Sequence, residues 1–73
     1  MPVETGSIEV FINGEPRPVP AGQTIAGLLD SLSIAFDRVA VELDRRIVRR
    51  EHWPATPLEA GARVEIVHFV GGG

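Results

Sequence analysis

The residues best placed to do chemistry are the last three of the chain, Gly71, Gly72 and Gly73. Glycine lacks a Cβ atom and adopts both signs of φ, so three in a row can enter a slot too narrow for other residues. Fully extended, they reach about 10 Å. The sequence therefore predicts that the Gly73 carboxylate is the reactive group, carried by Gly71 and Gly72 into another protein's active site. A frayed terminus or a cloning linker is the alternative.

Other polar residues give weaker indications of a site. His52 and His68 fall on different predicted elements of a chain without cysteine, so no metal site is predicted. Glu42 and Asp44 adjoin no recognisable pocket, which argues against a general acid–base pair. A basic cluster is formed by four arginines, Arg45, Arg46, Arg49 and Arg50. Because acidic residues are interleaved with them, they form either a solvated face or a docking strip for an acidic partner.

Composition narrows the class of protein. The 73 residues form one small domain, with no room for an enclosed active site of several residues. A hydrophobic content of 44% with a net charge of -3 indicates a globular chain that does not bind nucleic acid. Cysteine is absent, so no disulfide or thiolate site is expected. No apolar run resembles a signal peptide or a membrane span, so we expect a cytoplasmic docking module that does not bind membranes.

The first half of the chain predicts a hairpin and a helix. Residues 8–12 alternate as a strand and end at Asn13-Gly14, a strong hairpin signal. Pro16 and Pro18 then confine the returning strand to a sheet edge. Thr24 is a candidate N-cap of a helix that ends near Ser33, with apolar residues at helical spacing: Ile25, Leu28, Leu29 and Leu32. Gly27 within it suggests close packing on a neighbouring backbone.

The second half predicts two or three further strands. Residues 39–43 alternate as a strand, 44–46 form a turn, and Ile47-Val48 form a short strand. Residues 49–57 are expected to be irregular, with Trp53 and Leu58 anchoring a loop over the core. A final strand covers residues 63–69. The fold class is α+β, with one helix on one face of a mixed sheet of four or five strands.

The alternation along the strands predicts an exposed apolar patch. The first and last strands are the most apolar and are expected side by side in the sheet centre. One helix covers one face, where Val10, Ile12, Val64 and Ile66 are expected. The opposite face then carries the predicted partner-docking residues beside the tail: Phe11, Val67, Phe69 and Val70. Alternatively, loop residues such as Trp53 fold over this patch, or the patch is tolerated surface.

The order of these motifs resembles the ubiquitin-like β-grasp and, in particular, the sulfur-carrier proteins of thiamine thiazole biosynthesis, the ThiS family. The resemblance is carried by four segments: Ile12-Asn13-Gly14-Glu15; Gly22-Gln23-Thr24-Ile25 with Leu28-Leu29; Ile47-Val48 with Arg50 and Trp53; and Gly61 leading to Val64-Glu65-Ile66-Val67 and Val70-Gly71-Gly72-Gly73. It predicts a flexible extension (1–7), a β-grasp domain (8–70) and a flexible reactive tail (71–73).

The resemblance implies a carrier cycle catalysed by partner enzymes, so the chain itself is not expected to be an enzyme. An adenylating enzyme of the ubiquitin-activating type, using ATP with magnesium, would adenylate the Gly73 carboxylate. A cysteine desulfurase or another persulfide-bearing protein would supply sulfur, giving a thiocarboxylate that donates it to thiazole synthase. No cofactor would be bound to the chain, which is expected to be a monomer when free.

Two alternatives stay open at this stage. The small subunit of molybdopterin synthase resembles the chain in fold and tail and differs in the recipient of the sulfur. A ubiquitin-like modifier or a non-covalent interaction domain belongs to a different class. A modifier would form isopeptide bonds to target lysines, and a binding domain would tolerate deletion of the tail.

Overall fold

The structure, a computed structural model, describes residues 6–69. Within this range the elements are the strands β1 (Ser7–Ile12), β2 (Glu15–Pro20), β3 (Val39–Leu43), β4 (Arg46–Val48) and β5 (Arg63–His68), the helix α1 (Ile25–Ser31), and 3-10 helices at Phe36–Arg38 and Arg50–Ala55. β1 begins at Ser7, one residue before the predicted domain boundary. The predicted extension and tail stay predictions, because residues 1–5 and 70–73 lie outside the described residues.

The strands form one mixed sheet in the order β2-β1-β5-β3-β4. β1 and β5 are parallel neighbours, and the other neighbouring pairs are antiparallel. The predicted central pairing of the first and last strands is therefore confirmed, with β5 as the middle strand. β2 lies at an edge, as Pro16 and Pro18 indicated, because proline cannot donate to a second neighbouring strand.

Both hairpins turn through two residues with positive φ. Asn13 and Gly14 have φ of 51° and 88°, which confirms the predicted turn. Asp44 and Arg45 have φ of 51° and 72°, so the second hairpin uses the same geometry without glycine. The predicted turn included Arg46, but this residue is the first of β4 and pairs with the last residue of β3. The shorter turn sets the register of β4.

The helix α1 begins where Thr24 predicts it. The N–H of Gly27 donates to Thr24 Oγ1 at 3.0 Å, which satisfies one of the free donors of the first turn. The helix ends at Ser31, before the predicted Ser33, because Ser33 adopts a left-handed φ of 59° that an α-helix cannot contain. Within residues 6–69, no helix has the length and apolar character needed to cross a membrane.

Gly27 packs differently from the prediction. A Cβ atom at this position would lie 2.6 Å from Oε1 of Gln23 and 3.4 Å from Oγ1 of Thr24. The close neighbours are therefore side chains at the start of the same helix, and the expected backbone of another element is not among them. Glycine leaves room here for the Gln23 side chain to fold over the capped turn.

The core lies between the sheet and the helix. Its fully or nearly buried residues are Val10, Ile12, Val19, Ile25, Leu28, Leu29, Val39, Val41, Trp53, Leu58, Ala62, Val64 and Ile66. This set confirms the predicted inward face of β1 and β5 and both predicted anchors, Trp53 and Leu58, each 2% exposed. The segment predicted to be irregular contains a 3-10 helix from Arg50 to Ala55, which brings Trp53 against Phe36 in an edge-to-face contact with ring centroids 5.5 Å apart.

Trp53 is held by a polar contact as well as by packing. Its indole Nε1–H donates to the carbonyl oxygen of Val48 at 2.8 Å. A buried indole N–H without a partner would cost about 1 to 3 kcal/mol, so this bond allows the ring to fill the core. It also joins the 3-10 helix to the end of β4.

We expect Leu28→Ala to lower the free energy of unfolding by about 2 to 5 kcal/mol, because Leu28 is 1% exposed and truncation leaves a cavity under the sheet. Chemical denaturation measures the loss. Asp30→Ala, on the exposed side of the same helix, is the matched control and should change the value by less than about 0.5 kcal/mol. Equal losses in the two variants would contradict the helix orientation.

Candidate docking surface

The predicted reactive residues Gly71, Gly72 and Gly73, together with Val70, lie outside the described residues. The structure does describe the point where the chain reaches them. Phe69 follows β5, and its N–H donates to the carbonyl oxygen of Arg38 at 2.9 Å. This bond fixes the end of the central strand to the segment that enters β3. The base of the predicted tail is therefore part of the folded domain.

Large apolar side chains are exposed on the face of the sheet opposite the helix. Among the described residues they are Ile47, Val67 and Phe69, with exposures of 73%, 55% and 63%. Val67 pairs with Ala40 on β3, and Ile47 pairs with Glu42, so both point away from the core. We call Ala40, Ile47, Val67 and Phe69 the tail-end patch. Exposed apolar groups gathered in this way are typical of a protein interface.

The predicted exposure of Val67 and Phe69 is thus what the structure shows, and the alternative that loop residues such as Trp53 cover them is wrong. The Trp53 ring is 2% exposed and belongs to the core on the helix side of the sheet. Val67 and Phe69 stay 55% and 63% exposed, so no side chain of the described residues covers them.

Phe11 lies apart from the other predicted docking residues. It is on the open face and half-buried, and its partner on β5 is Arg63. Val67 and Phe69 follow Arg63 by four and six positions, or about 13 and 20 Å along an extended strand. The structure therefore brings Val67 and Phe69 together and places Phe11 at the other end of the face.

Ile47 was not predicted as a docking residue. Ile47 and Val48 are adjacent and both apolar, so the sequence does not show which of the two side chains faces the core. The two-residue turn at Asp44 and Arg45 pairs Val48 with buried Val41, which leaves Ile47 outward. Reading that turn as two residues rather than three would have revealed it.

A groove of about 530 Å³ adjoins the tail-end patch. It lies beside the first half of β3, which extends beyond the short strand β4. Its walls include Ala40, Ile47 and Phe69 of the patch and reach Phe36 and Trp53 at the edge of the core. The groove is shallow and open to solvent, and it gives the patch a recess in which a partner side chain could pack.

Two carboxylates face each other in the middle of the open face. Glu42 of β3 and Glu65 of β5 are direct cross-strand partners. Within residues 6–69, neither is in an ion pair; the ion pair present there joins Arg49 and Glu51 at 3.8 Å, on exposed side chains. Like charges opposite each other destabilise a sheet by about 0.2 to 1 kcal/mol. The face therefore combines an apolar end with an unfavourable acidic centre.

The arginine cluster does not form one strip. Arg45 lies in the turn. Arg46 pairs with Leu43, so it is on the side of the sheet that the helix covers. Arg49 and Arg50 follow β4, and Arg49 faces Glu51. No group of three metal-binding side chains occurs among the described residues, His52 and His68 included. Arg49 and Arg50 line the groove beside the patch, and within residues 6–69 the arginines and histidines form no assembled catalytic site.

We expect Glu65→Lys to raise the free energy of unfolding by about 0.5 to 1 kcal/mol, because it replaces cross-strand repulsion with attraction to Glu42. Urea denaturation measures it, and 1 M NaCl should reduce the gain. Glu59→Lys, in an exposed turn, is the control for the change in net charge. A gain of the same size in both variants would contradict the assignment of this pair.

The chain is similar to one protein family and to several known proteins. The model of the ThiS family matches residues 10–73. Proteins named thiazole synthase from Magnetococcus marinus and Paramagnetospirillum magneticum are 41% and 36% identical over 66 residues, or 90% of this chain. The chain spans about one fifth of the length of these relatives, 20% of each.

A solved structure agrees with the fold. The crystal structure of a thiamine biosynthesis protein (ThiS) from Geobacter metallireducens has a TM-score of 0.76 and 33% sequence identity. The match covers 90% of this chain and 100% of that one. The sheet order and single helix described above are therefore those of the β-grasp structure expected from the sequence.

Proposed function

The chain belongs to the ThiS family, and from this premise we propose that it is a sulfur carrier of thiamine thiazole biosynthesis whose reactive group is the Gly73 carboxylate. The observation that carries the proposal is the family match, which extends through the terminal glycines to residue 73. The domain would act as a co-substrate, and partner enzymes would supply the catalytic groups.

The relatives support thiazole synthase as the recipient of the sulfur. In two proteins named thiazole synthase, one fifth of the polypeptide resembles this chain. Two activities joined in one polypeptide commonly act in the same process. This association favours the thiazole recipient over molybdopterin synthase.

The proposed chemistry begins at the C-terminal carboxylate. A carboxylate is a poor electrophile because its leaving group would be oxide. In an adenylating enzyme that holds ATP and magnesium, a carboxylate oxygen of Gly73 attacks the α-phosphorus and pyrophosphate leaves. The terminal sulfur of a persulfide then attacks the acyl carbon and displaces AMP. A thiol cleaves the resulting S–S bond, which leaves the thiocarboxylate on the carrier and a disulfide on the donor.

The position of Phe69 at the end of β5 supports a specific role for the folded domain in this proposed cycle. Four residues follow Phe69 in the sequence, and four extended residues reach at most about 14 Å. An enzyme that holds Gly73 in its active site must therefore contact the domain close to Phe69. The tail-end patch lies there, and its exposed apolar side chains would lose water on docking. Docking would thus place the carboxylate and bury the patch in the same step.

We expect the sulfur to be found on the last residue. Incubation of the chain with an adenylating enzyme of this family, ATP and a persulfide donor should give an oxygen-to-sulfur mass increase confined to the C-terminal peptide. Deletion of Gly73 should abolish it without unfolding the domain, because the shortened carboxylate is about 3.5 Å from its required position. Gly72→Val should also fail, through exclusion from a narrow channel.

The same measurement can reject the proposal. Sulfur acquired equally well by the shortened chain would show that the terminal glycines are not the reactive segment. Mass analysis of the protein isolated from its own cells serves as the control for the native terminus. A native chain that continues beyond Gly73 and is never processed there would also contradict the assignment.

We expect Val67→Asp and Phe69→Asp to weaken adenylation while the domain stays folded, since both side chains are exposed in the free protein. A charge in the apolar part of an interface should raise the KM for the carrier by about tenfold or more. ATP–pyrophosphate exchange measures KM, and circular dichroism verifies folding. Ala60→Asp, an exposed site in the turn before β5, is the control and should match the wild type. Unchanged kinetics in a folded double variant would place the interface elsewhere.

A further inference from the structure

The side chain of Asn13 is bonded to the central strand, in addition to forming its turn. The N–H of Ile66 donates to Asn13 Oδ1 at 2.7 Å, and Asn13 Nδ2 donates to the carbonyl oxygen of Ile66 at 3.3 Å. The orientation of the amide follows from this pair of bonds, because an N–H requires an acceptor and a carbonyl requires a donor. A residue of the first hairpin thus holds the second half of β5, at a position 53 residues later in the sequence.

These bonds continue the parallel ladder between β1 and β5. In that ladder the N–H groups of Phe11 and Asn13 donate to the carbonyl oxygens of Ala62 and Val64, each at 2.8 Å. The same spacing would bring the N–H of residue 15 to Ile66. Because the chain has turned, Glu15 belongs to β2 instead. The Asn13 side-chain amide carries a donor and an acceptor, as a peptide group does. It therefore makes the two bonds to Ile66 that the next backbone groups of β1 would have made.

The position of this contact matters because β5 leads to the C-terminal glycines. On one side, β3 pairs with β5 as far as His68. On the other side, the paired residues of β1 and β5 end at Val64, within the described part of the chain, and the Asn13 side chain adds one further attachment at Ile66. Without it, the last residues of β5 would be held by β3 alone.

We propose that Asn13 is a positioning residue for the carrier reaction: its side chain fixes the end of β5 and so the direction in which the C-terminal segment leaves the domain. The inference rests on the proposed function. A strand end that is ordered before binding lowers the entropy lost when a partner docks on the tail-end patch. Removing the Asn13 amide should therefore weaken productive binding more than it changes the rate of the bound complex.

Three variants separate this role from simple loss of stability. Asn13→Gly keeps the positive φ of the turn and removes both side-chain bonds. Asn13→Asp keeps the acceptor for the Ile66 N–H and loses the donor. Thr24→Ala is the matched control, because it removes a side-chain hydrogen bond of similar length at α1, away from β5. Circular dichroism and denaturation verify that each variant is folded and give its stability.

The first readout needs no partner enzyme. In hydrogen exchange followed by NMR, Asn13→Gly should accelerate exchange of the Phe69 N–H by about tenfold relative to the N–H of buried Leu58, because the strand end opens locally. Thr24→Ala should leave this ratio unchanged. Asn13→Asp tests the same ratio if the glycine variant is poorly folded, and a smaller increase is expected. An unchanged ratio in both Asn13 variants would overturn the proposal.

The second readout is ATP–pyrophosphate exchange with the adenylating enzyme. Asn13→Gly should raise the KM for the carrier by about threefold to tenfold with kcat nearly unchanged. Asn13→Asp should recover part of the loss, and Thr24→Ala should stay within about twofold of the wild type. Equal KM values for Asn13→Gly and Thr24→Ala would overturn the positioning role alone. A wild-type chain that is not adenylated at all would instead reject the proposed function.

Discussion

One helix of seven residues has to cover a sheet of five strands, and it can cover one face. Every buried core residue on the strands consequently points to the same side, as Val10, Val41 and Val64 do. The opposite face stays open within residues 6–69, and it collects the exposed side chains Ile47 and Val67. The core and the proposed docking surface therefore lie on different faces of the same strands, because side chains alternate along each strand.

The central position of β5 connects these two faces to the chemistry. This strand contributes Val64 and Ile66 to the core and Val67 to the open face. It is bordered by β1 and β3, and it leads directly to the segment proposed to react. A reactive segment attached to the most supported strand has a fixed origin, so a partner that binds the open face also determines where the terminal carboxylate goes.

Much of this arrangement could be predicted from local signals. Asn13-Gly14 has one favoured turn geometry, Thr24 has one favoured helical position, and the period of two in β5 separates inward from outward side chains. The other features of the docking surface depend on how strands pair, which a short stretch of sequence does not show. The outward direction of Ile47 required the register of the second hairpin, and the separation of Phe11 from Val67 required the pairing of two strands distant in sequence. No local signal reveals the bond between the Asn13 side chain and β5, because its partner Ile66 is 53 positions away.

The proposed function requires partners to bind the open face at the end where β5 leaves the sheet. Titration of the isotope-labelled chain with thiazole synthase, followed by NMR, tests this most directly. The largest chemical-shift changes should fall on Ala40, Ile47, Val67 and Phe69, while α1 should be little affected. Changes centred on the exposed side of α1 at Ala26 and Asp30, with Val67 and Phe69 unchanged in a complex that forms, would contradict it.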